Sequence, residues 1–186
     1  MSIVKCPSVI ETWGSDLDER ERSYPCDRLF DSPHVVFRAV EVAAPHELAF
    51  RWLCQLRTAP YSYDWLDNLG RRSPRQLVEG LDQLEVGQRF MTIFRLVSFE
   101  ENRSVTLDST TILFGRVVCT YWVRPIGRER SRLVVKLIFS VPGGIRGWVT
   151  KRLLPAGDLI MMRKQLLTLK ALTERDFGAT DQEQNG

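Results

Sequence analysis

The stretch from Gly147 to Asp176, GWVTKRLLPAGDLIMMRKQLLTLKALTERD, limits the fold more than any other part of the chain. From Pro155 onward nothing in it breaks a helix. Leu159, Met162, Leu166 and Leu169 recur at spacings of three and four, which predicts one buried helical stripe. Ile160, Leu167 and Ala171 form a second stripe beside it. At about 1.5 Å rise per residue the part after Pro155 is roughly 30 Å long. The strand-like segments before it have an apolar face to cover, and no other element is long enough. The expected arrangement is α+β: a curved antiparallel sheet wrapped around this helix, with a cavity between them.

The strands are read from alternation. His34 to Ala43 is rich in β-branched residues and predicts a first strand. Pro45 then opens a short helix to about Leu56, with Leu48, Trp52 and Leu56 four apart and Leu53 alongside. Tyr61, Trp65 and Leu69 repeat that spacing and predict a second short helix ending near Gly70 and Pro74. Residues 75–87 carry no clear signal. Four segments follow: Gln88–Glu100, Arg103–Thr111, Arg116–Ile126 and Arg132–Val141. The breaks between them are too short for a crossover, so they join antiparallel neighbours. In the last segment Leu133, Val135, Leu137, Phe139 and Val141 share one face. Before it, Val117, Cys119, Tyr121 and Val123 lie opposite Val118, Thr120, Trp122 and Arg124. This predicts one buried face and one mixed face. Pro142-Gly143-Gly144 ends the sheet. Residues 1–33 read as a polar N-terminal arm, 34–176 as the domain, and 177–186 as a frayed tail.

Bulk properties exclude several classes. The chain has 186 residues, enough for one domain with a sizeable core, and 44% are hydrophobic, a globular composition. Its 26 Lys+Arg against 23 Asp+Glu leave +3, too small an excess to argue for nucleic acid. Cys6, Cys26, Cys54 and Cys119 form no C-x-x-C pair, so no metal or redox site is expected. Cys54 and Cys119 sit among apolar neighbours and read as small core residues; the state of Cys6 and Cys26 is open. No secretory signal and no transmembrane run of about 18 apolar residues stands out, so the expected address is the cytoplasm. No cofactor motif is present.

One strand, two short helices, an antiparallel run and a long C-terminal helix is the order of the helix-grip fold. Two stretches, Tyr61-Ser-Tyr-Asp-Trp-Leu-Asp-Asn-Leu-Gly-Arg-Arg-Ser-Pro74 and Leu153-Leu-Pro-Ala-Gly-Asp-Leu-Ile-Met-Met-Arg-Lys-Gln-Leu-Leu167, resemble a bacterial branch of the SRPBCC superfamily, which holds START, polyketide-cyclase and birch-pollen-allergen-like proteins. The resemblance covers about residues 34–176. It implies a cavity between sheet and long helix and a hydrophobic small-molecule ligand, lipid or polyketide-like. It assigns no catalytic residue here, because fold does not fix activity.

The residues themselves offer candidates. Phe90, Phe94, Tyr121, Phe139, Met161 and Met162 are more large apolar groups than a thin two-layer domain needs, and methionines suit a pocket of variable shape. Plain core packing explains any one of them equally simply. Tyr61 and Tyr63 can donate phenol hydrogen bonds to a ligand carbonyl at the pocket mouth, with Trp65 as a wall. The alternative is that these aromatics staple the short helices to the sheet. Arg95 lies within an apolar strand: pointing inward it needs an anionic partner, and pointing outward it is an ordinary surface arginine. Asp108 has the same ambiguity. His34 and His46 belong to no nucleophile pattern. The expected ligand-binding set is therefore Tyr61, Tyr63, Trp65, Phe94, Arg95, Tyr121, Phe139 and Met162. A binder or carrier comes first, then a cyclase or dehydratase with one polar group in the cavity. A surface module contacting RNA or anionic lipid through Arg71-Arg72-Ser-Pro-Arg75 and Arg128-Glu-Arg-Ser-Arg132 comes third. Apolar residues on several sides of the long helix, including Met161 and Leu172, leave room for a homodimer contact.

Overall fold

The computed structural model describes residues 8–32, 34–62, 72–109, 115–140 and 144–184, with side chains in the last stretch described for 157–180. One antiparallel sheet is built from β1 (Val35–Val42), β2 (Arg89–Phe90), β3 (Phe94–Glu100), β4 (Ser104–Ser109), β5 (Val117–Pro125) and β6 (Ser131–Phe139). Their order is β1-β6-β5-β4-β3-β2. Short turns make β2 to β6 successive neighbours, and β1 closes the row by pairing with β6. The segment expected as one strand from Gln88 to Glu100 is two. Met91 and Thr92 take φ of 44° and 67°, left-handed conformations that no ladder accommodates, so the chain turns there.

The first short helix, α3 (His46–Cys54), follows β1 and tightens into a 3-10 turn, Gln55–Arg57. It buries Phe50, Trp52 and Leu53. Most of the second expected helix, from Tyr63 to Gly70, lies outside the described residues. The terminal helix, α4 (Gly144–Gln184), has 41 residues. It runs through Pro155 and continues across residues 177–184, which were expected to fray. Met162, Leu166, Leu169 and Leu172 are buried in the core, so Leu172 is not open to a dimer partner. Of the second stripe, Ile160, at 58% exposure, and Ala171 face solvent, while Leu167 packs partly buried against the core. The C-terminal half of α4 is clamped by polar contacts. Trp52 donates its indole N–H to Asp176 (3.0 Å), Lys170 donates to the Glu41 carbonyl (2.7 Å), and the Ala43 N–H donates to Glu174 (2.7 Å). A single antiparallel sheet gripping a long C-terminal helix is the helix-grip fold. Among the described residues no helix is long and apolar enough to cross a membrane.

Alternation distributes the sheet residues as expected: Cys119, Tyr121, Val123, Leu133, Val135, Leu137 and Phe139 join the helix-side core. The other face is not mixed and open. Val118, Trp122, Val134 and Ile138 form a second buried cluster with Phe37 and Ala39. The N-terminal arm covers it, through α2 (Leu17–Glu21) and a 3-10 turn, Pro25–Arg28, while α1 (Val9–Thr12) lies against β1 and α4 and buries none of its own side chains. Tyr24 meets Phe37 and Trp122 edge-on at 6.1 and 6.0 Å, and Arg22 stacks 4.0 Å over the Trp122 ring. The polar residues of this face are partnered by the arm. The Cys26 N–H donates to Thr120 (3.1 Å), and Lys136 pairs with Asp27 (2.6 Å). Glu19, 2% exposed, pairs with Arg132 at 2.7 Å and Arg124 at 3.7 Å. At the free edge of β1 the Ala39 N–H donates to the Trp13 carbonyl (3.0 Å). Gly14, with φ of 75°, passes so close that a Cβ there would lie 2.1 Å from the Ala39 oxygen. Cys26 is fully buried in this cluster.

Removing Glu19 leaves two arginines facing a buried gap. Glu19→Ala is expected to lower the unfolding free energy by about 3 kcal/mol, the usual penalty for breaking a buried ion pair from one side. Urea denaturation followed by tryptophan fluorescence measures it; a loss within about 0.5 kcal/mol would mean that the arm is not a structural part of the domain.

Candidate functional site

Between Gly157 and Gln165, α4 does not close on the sheet. A cavity of about 390 Å³ separates them. Its walls come from Phe94 of β3, Val117, Cys119 and Tyr121 of β5, Leu137 of β6, the Met91–Ile93 turn and the Pro60–Ser62 loop. The helix contributes Gly157, Asp158, Met161, Met162 and Gln165. The volume falls near the lower end of the range of roughly 300–1,000 Å³ typical of small-molecule sites. At about 30 Å³ per water-sized group it holds a ring system or a medium alkyl chain, not a two-chain lipid.

Among the described residues the polar side chains of the wall are Ser62, Ser109, Tyr121, Asp158 and Gln165. Tyr121, 1% exposed, donates its phenol O–H to Gln165 Oε1 at 2.7 Å. Gln165 Nε2 donates to the Pro60 carbonyl at 2.6 Å and lies 3.1 Å from Met91 Sδ. This chain of contacts ties β5, α4 and the Pro60 loop together around the cavity. The loop turns at Tyr61, whose φ of 54° is uncommon for a bulky residue. Burial pushes the Tyr121 phenol and the Cys119 thiol well above their ordinary values, so both stay neutral at pH 7.

Among the described residues, the charged pair at the cavity is Arg38 and Asp158. Arg38 belongs to the inward-facing row of β1 with Val36, Val40 and Val42, and is 1% exposed. Its Nη2 meets Asp158 Oδ2 at 2.8 Å, and its Nη1 donates to the Phe37 carbonyl at 2.8 Å. Asp158 keeps 13% of its side chain exposed and forms part of the cavity wall. Burial raises its carboxyl from 3.8 to about 6, against the opposing pull of Arg38. Burial likewise lowers Arg38, so removal from water outweighs attraction for both partners.

Of the residues expected from sequence, Phe94, Tyr121 and Met162 stand in the cavity wall. Tyr61 does not. It is 1% exposed and packs edge-on against Trp52 at 6.1 Å, as a staple, while its neighbours Pro60 and Ser62 reach the cavity. Phe139 is core, stacked 5.5 Å from His34. Arg95 is exposed, because its position in β3 alternates with the buried Leu96, and it brings no charge to the cavity. Tyr63 and Trp65 lie outside the described residues. Asp108 resolves as a two-point partner of Arg116, at 2.6 and 3.2 Å. Arg38, Asp158 and Gln165 were missed. Their signal was present: Arg38 interrupts the Val36, Val40, Val42 row, and Asp158 precedes Met162 by four on the buried stripe. Among the described residues no group of three or more His, Cys, Asp or Glu can hold a metal.

No protein-family model matches the chain, and no curated protein matches it significantly. Solved structures do. A structural-genomics protein from Mesorhizobium loti superposes with a TM-score of 0.52 at 16% identity, over 76% of this chain and 98% of that one. A protein from Thermobifida fusca gives 0.52 at 14% identity, over 76% and 93%. The Zhui aromatase/cyclase from Streptomyces sp. R1128 gives 0.51 at 17% identity, over 76% and 94%. Likeness at such identities shows a shared helix-grip fold.

The ion pair predicts two measurable behaviours. Arg38→Met or Asp158→Leu alone strands a buried charge and is expected to lower stability by about 3–5 kcal/mol, while the double variant loses much less. Denaturant melts of the three variants test this, and equal losses in the double and single variants would contradict it. An acid raised from 3.8 to about 6 on folding binds its proton more tightly in the native state. Its cost to stability is absent below about pH 4 and complete above about pH 6. Subtracting the stability profile of Asp158→Asn from that of the parent is expected to leave a fall across pH 4–6. A flat difference would contradict the raised value.

Proposed function

We propose that this chain is an SRPBCC-type protein that binds a compact, largely apolar small molecule in the cavity between the sheet and α4. The observation that carries the reading is the cavity itself, walled by Met91, Phe94, Val117, Leu137, Met161 and Met162 with only a few polar groups. A helix that packs on the core at Leu166, Leu169 and Leu172 and stands off around Gly157–Met161 leaves a space that plain core packing would fill. The methionines from the turn and from α4 allow the walls to adapt to ligand shape. Volume favours a ring-type or single-chain molecule over a two-chain lipid.

A catalytic reading of the cyclase or dehydratase kind has one observation in its favour. Asp158 is a nearly enclosed carboxyl raised to about 6, the kind of group that exchanges protons near neutral pH. The likeness to an aromatase/cyclase agrees with it at the level of fold. The surface reading is weakened. Arg130 pairs with Glu41 and Arg132 with Glu19, so two arginines of the second basic cluster are already engaged.

Native mass spectrometry of the purified protein is expected to show a co-purifying mass that organic extraction removes. Val117→Phe projects a ring into the cavity and is expected to weaken binding of a neutral apolar fluorophore at least tenfold. Its stability should change by less than about 1.5 kcal/mol, since the added volume enters empty space. Unchanged affinity in that variant would place the binding elsewhere and overturn the reading.

A further inference from the structure

The cavity's charge arrangement selects among ligands. Arg38 is not in the wall: it lies behind Asp158, 1% exposed, with Nη1 on the Phe37 carbonyl and Nη2 on Asp158. Asp158 is the sole charged residue among the described wall residues. Its Oδ2 lies 2.8 Å from Arg38 Nη2. The other polar side chains of the described wall are Tyr121, Gln165 and the hydroxyls of Ser62 and Ser109, the latter accepting from the Val117 N–H at 3.0 Å. The Tyr121 O–H is held by Gln165, and the Gln165 amide is held by the Pro60 carbonyl and Met91 Sδ. A bound molecule therefore meets apolar walls and a hydrogen-bond acceptor, with the compensating cation screened behind it.

We propose that Asp158 sets ligand class: the cavity takes a neutral, mainly apolar molecule carrying a hydroxyl donor, a phenol or alcohol, and rejects carboxylates. The inference rests on the cavity being the binding site. A hydroxyl gains a hydrogen bond to an ionised acceptor, stronger than one between neutral groups. A ligand carboxylate loses its water and meets a like charge. An ammonium is attracted by Asp158 as much as a carboxylate is repelled, with Arg38 behind offsetting part of either effect, but it too loses its water, and that loss opposes its binding. Because the Asp158 carboxyl titrates at about 6, it is mostly ionised at pH 7.5 and serves as an acceptor. Fatty acids are thereby excluded although the walls would suit their chains.

The test uses three probes of one shape at pH 7.5 with the full-length protein: 2-methylnaphthalene, 2-naphthol and 2-naphthoate, titrated by ligand fluorescence or calorimetry. Naphthol is expected to bind roughly tenfold more tightly than the hydrocarbon, the equivalent of one charge-assisted hydrogen bond, and naphthoate at least tenfold more weakly. The Arg38→Met/Asp158→Leu double variant removes both charges together. In it the naphthol preference is expected to vanish, with naphthol and hydrocarbon affinities within about threefold of each other. Hydrocarbon binding without a naphthol preference, or naphthoate binding best, overturns the selection by Asp158 and leaves the cavity reading standing. No binding of any probe overturns both. The comparison among the three probes on the parent protein decides the matter even if the double variant does not fold.

Discussion

A single sheet with two apolar faces cannot exist in water without two covers, and the rest of this structure follows from how each cover is attached. The helix-side face carries Leu96, Leu107, Tyr121, Val135 and Leu137; the other carries Phe37, Val118, Trp122, Val134 and Ile138. At roughly 25 cal/mol per Å² of apolar surface, either face left bare would outweigh any one polar contact in the molecule. The C-terminal helix covers the first face, and a run of short turns from the N-terminus covers the second. Neither cover is apolar throughout. Each carries a carboxylate that reaches a basic residue on the sheet: Asp158 to Arg38 on one side, Glu19 and Asp27 to Arg132 and Lys136 on the other.

These pairs do different work. Glu19 and Asp27 fix where the arm sits, since each aligns one turn of an otherwise irregular segment with one strand position. Asp158 lies in the stretch of α4 that walls the cavity. A buried charge pair keeps its partners at hydrogen-bonding distance, and the bulky Tyr121–Gln165 contact lies one helical turn or two further on. Side chains of this size hold the helix off the strands on the Asp158 side, whereas Leu166, Leu169 and Leu172 interlock with the core beyond them. The cavity is thus a consequence of which side chains alternate along one stripe of α4: polar and flexible ones first, leucines after.

Much of this was readable in the residues. The strand faces of β5 and β6 follow from strict alternation, and the stripe of Met162, Leu166 and Leu169 from helical spacing, because period alone sets which side chains share a face. The helix-grip order follows from short breaks and one long terminal helix. What was not readable has physical reasons. Residues 8–32 bury few apolar side chains of their own, so their composition reads as solvated even though Tyr24, Cys26 and Glu19 are enclosed. Their role depends on partners more than ninety residues away, such as Thr120 and Lys136, which no local pattern encodes. Tyr61 looked like a ligand contact because an aromatic near a loop has the same local signature whether it walls a pocket or packs on Trp52. Arg38 and Asp158 each looked like an isolated charge; only the fold makes them a pair.

The two faces are also mechanically one object. Along β5 the residues alternate Cys119, Thr120, Tyr121, Trp122, so each cavity residue is flanked in sequence by one held from the other side. Thr120 is fixed by Cys26 and by Thr106 at 3.0 Å, and Trp122 by Tyr24 and Arg22. The backbone of Tyr121 cannot shift relative to Gln165 without repacking the arm. The same holds on β6, where Lys136 is bound to Asp27 next to Leu137 in the cavity wall. The arm therefore contributes to the site without touching it: by immobilising the outer residues of β5 and β6, it determines where their inner neighbours stand.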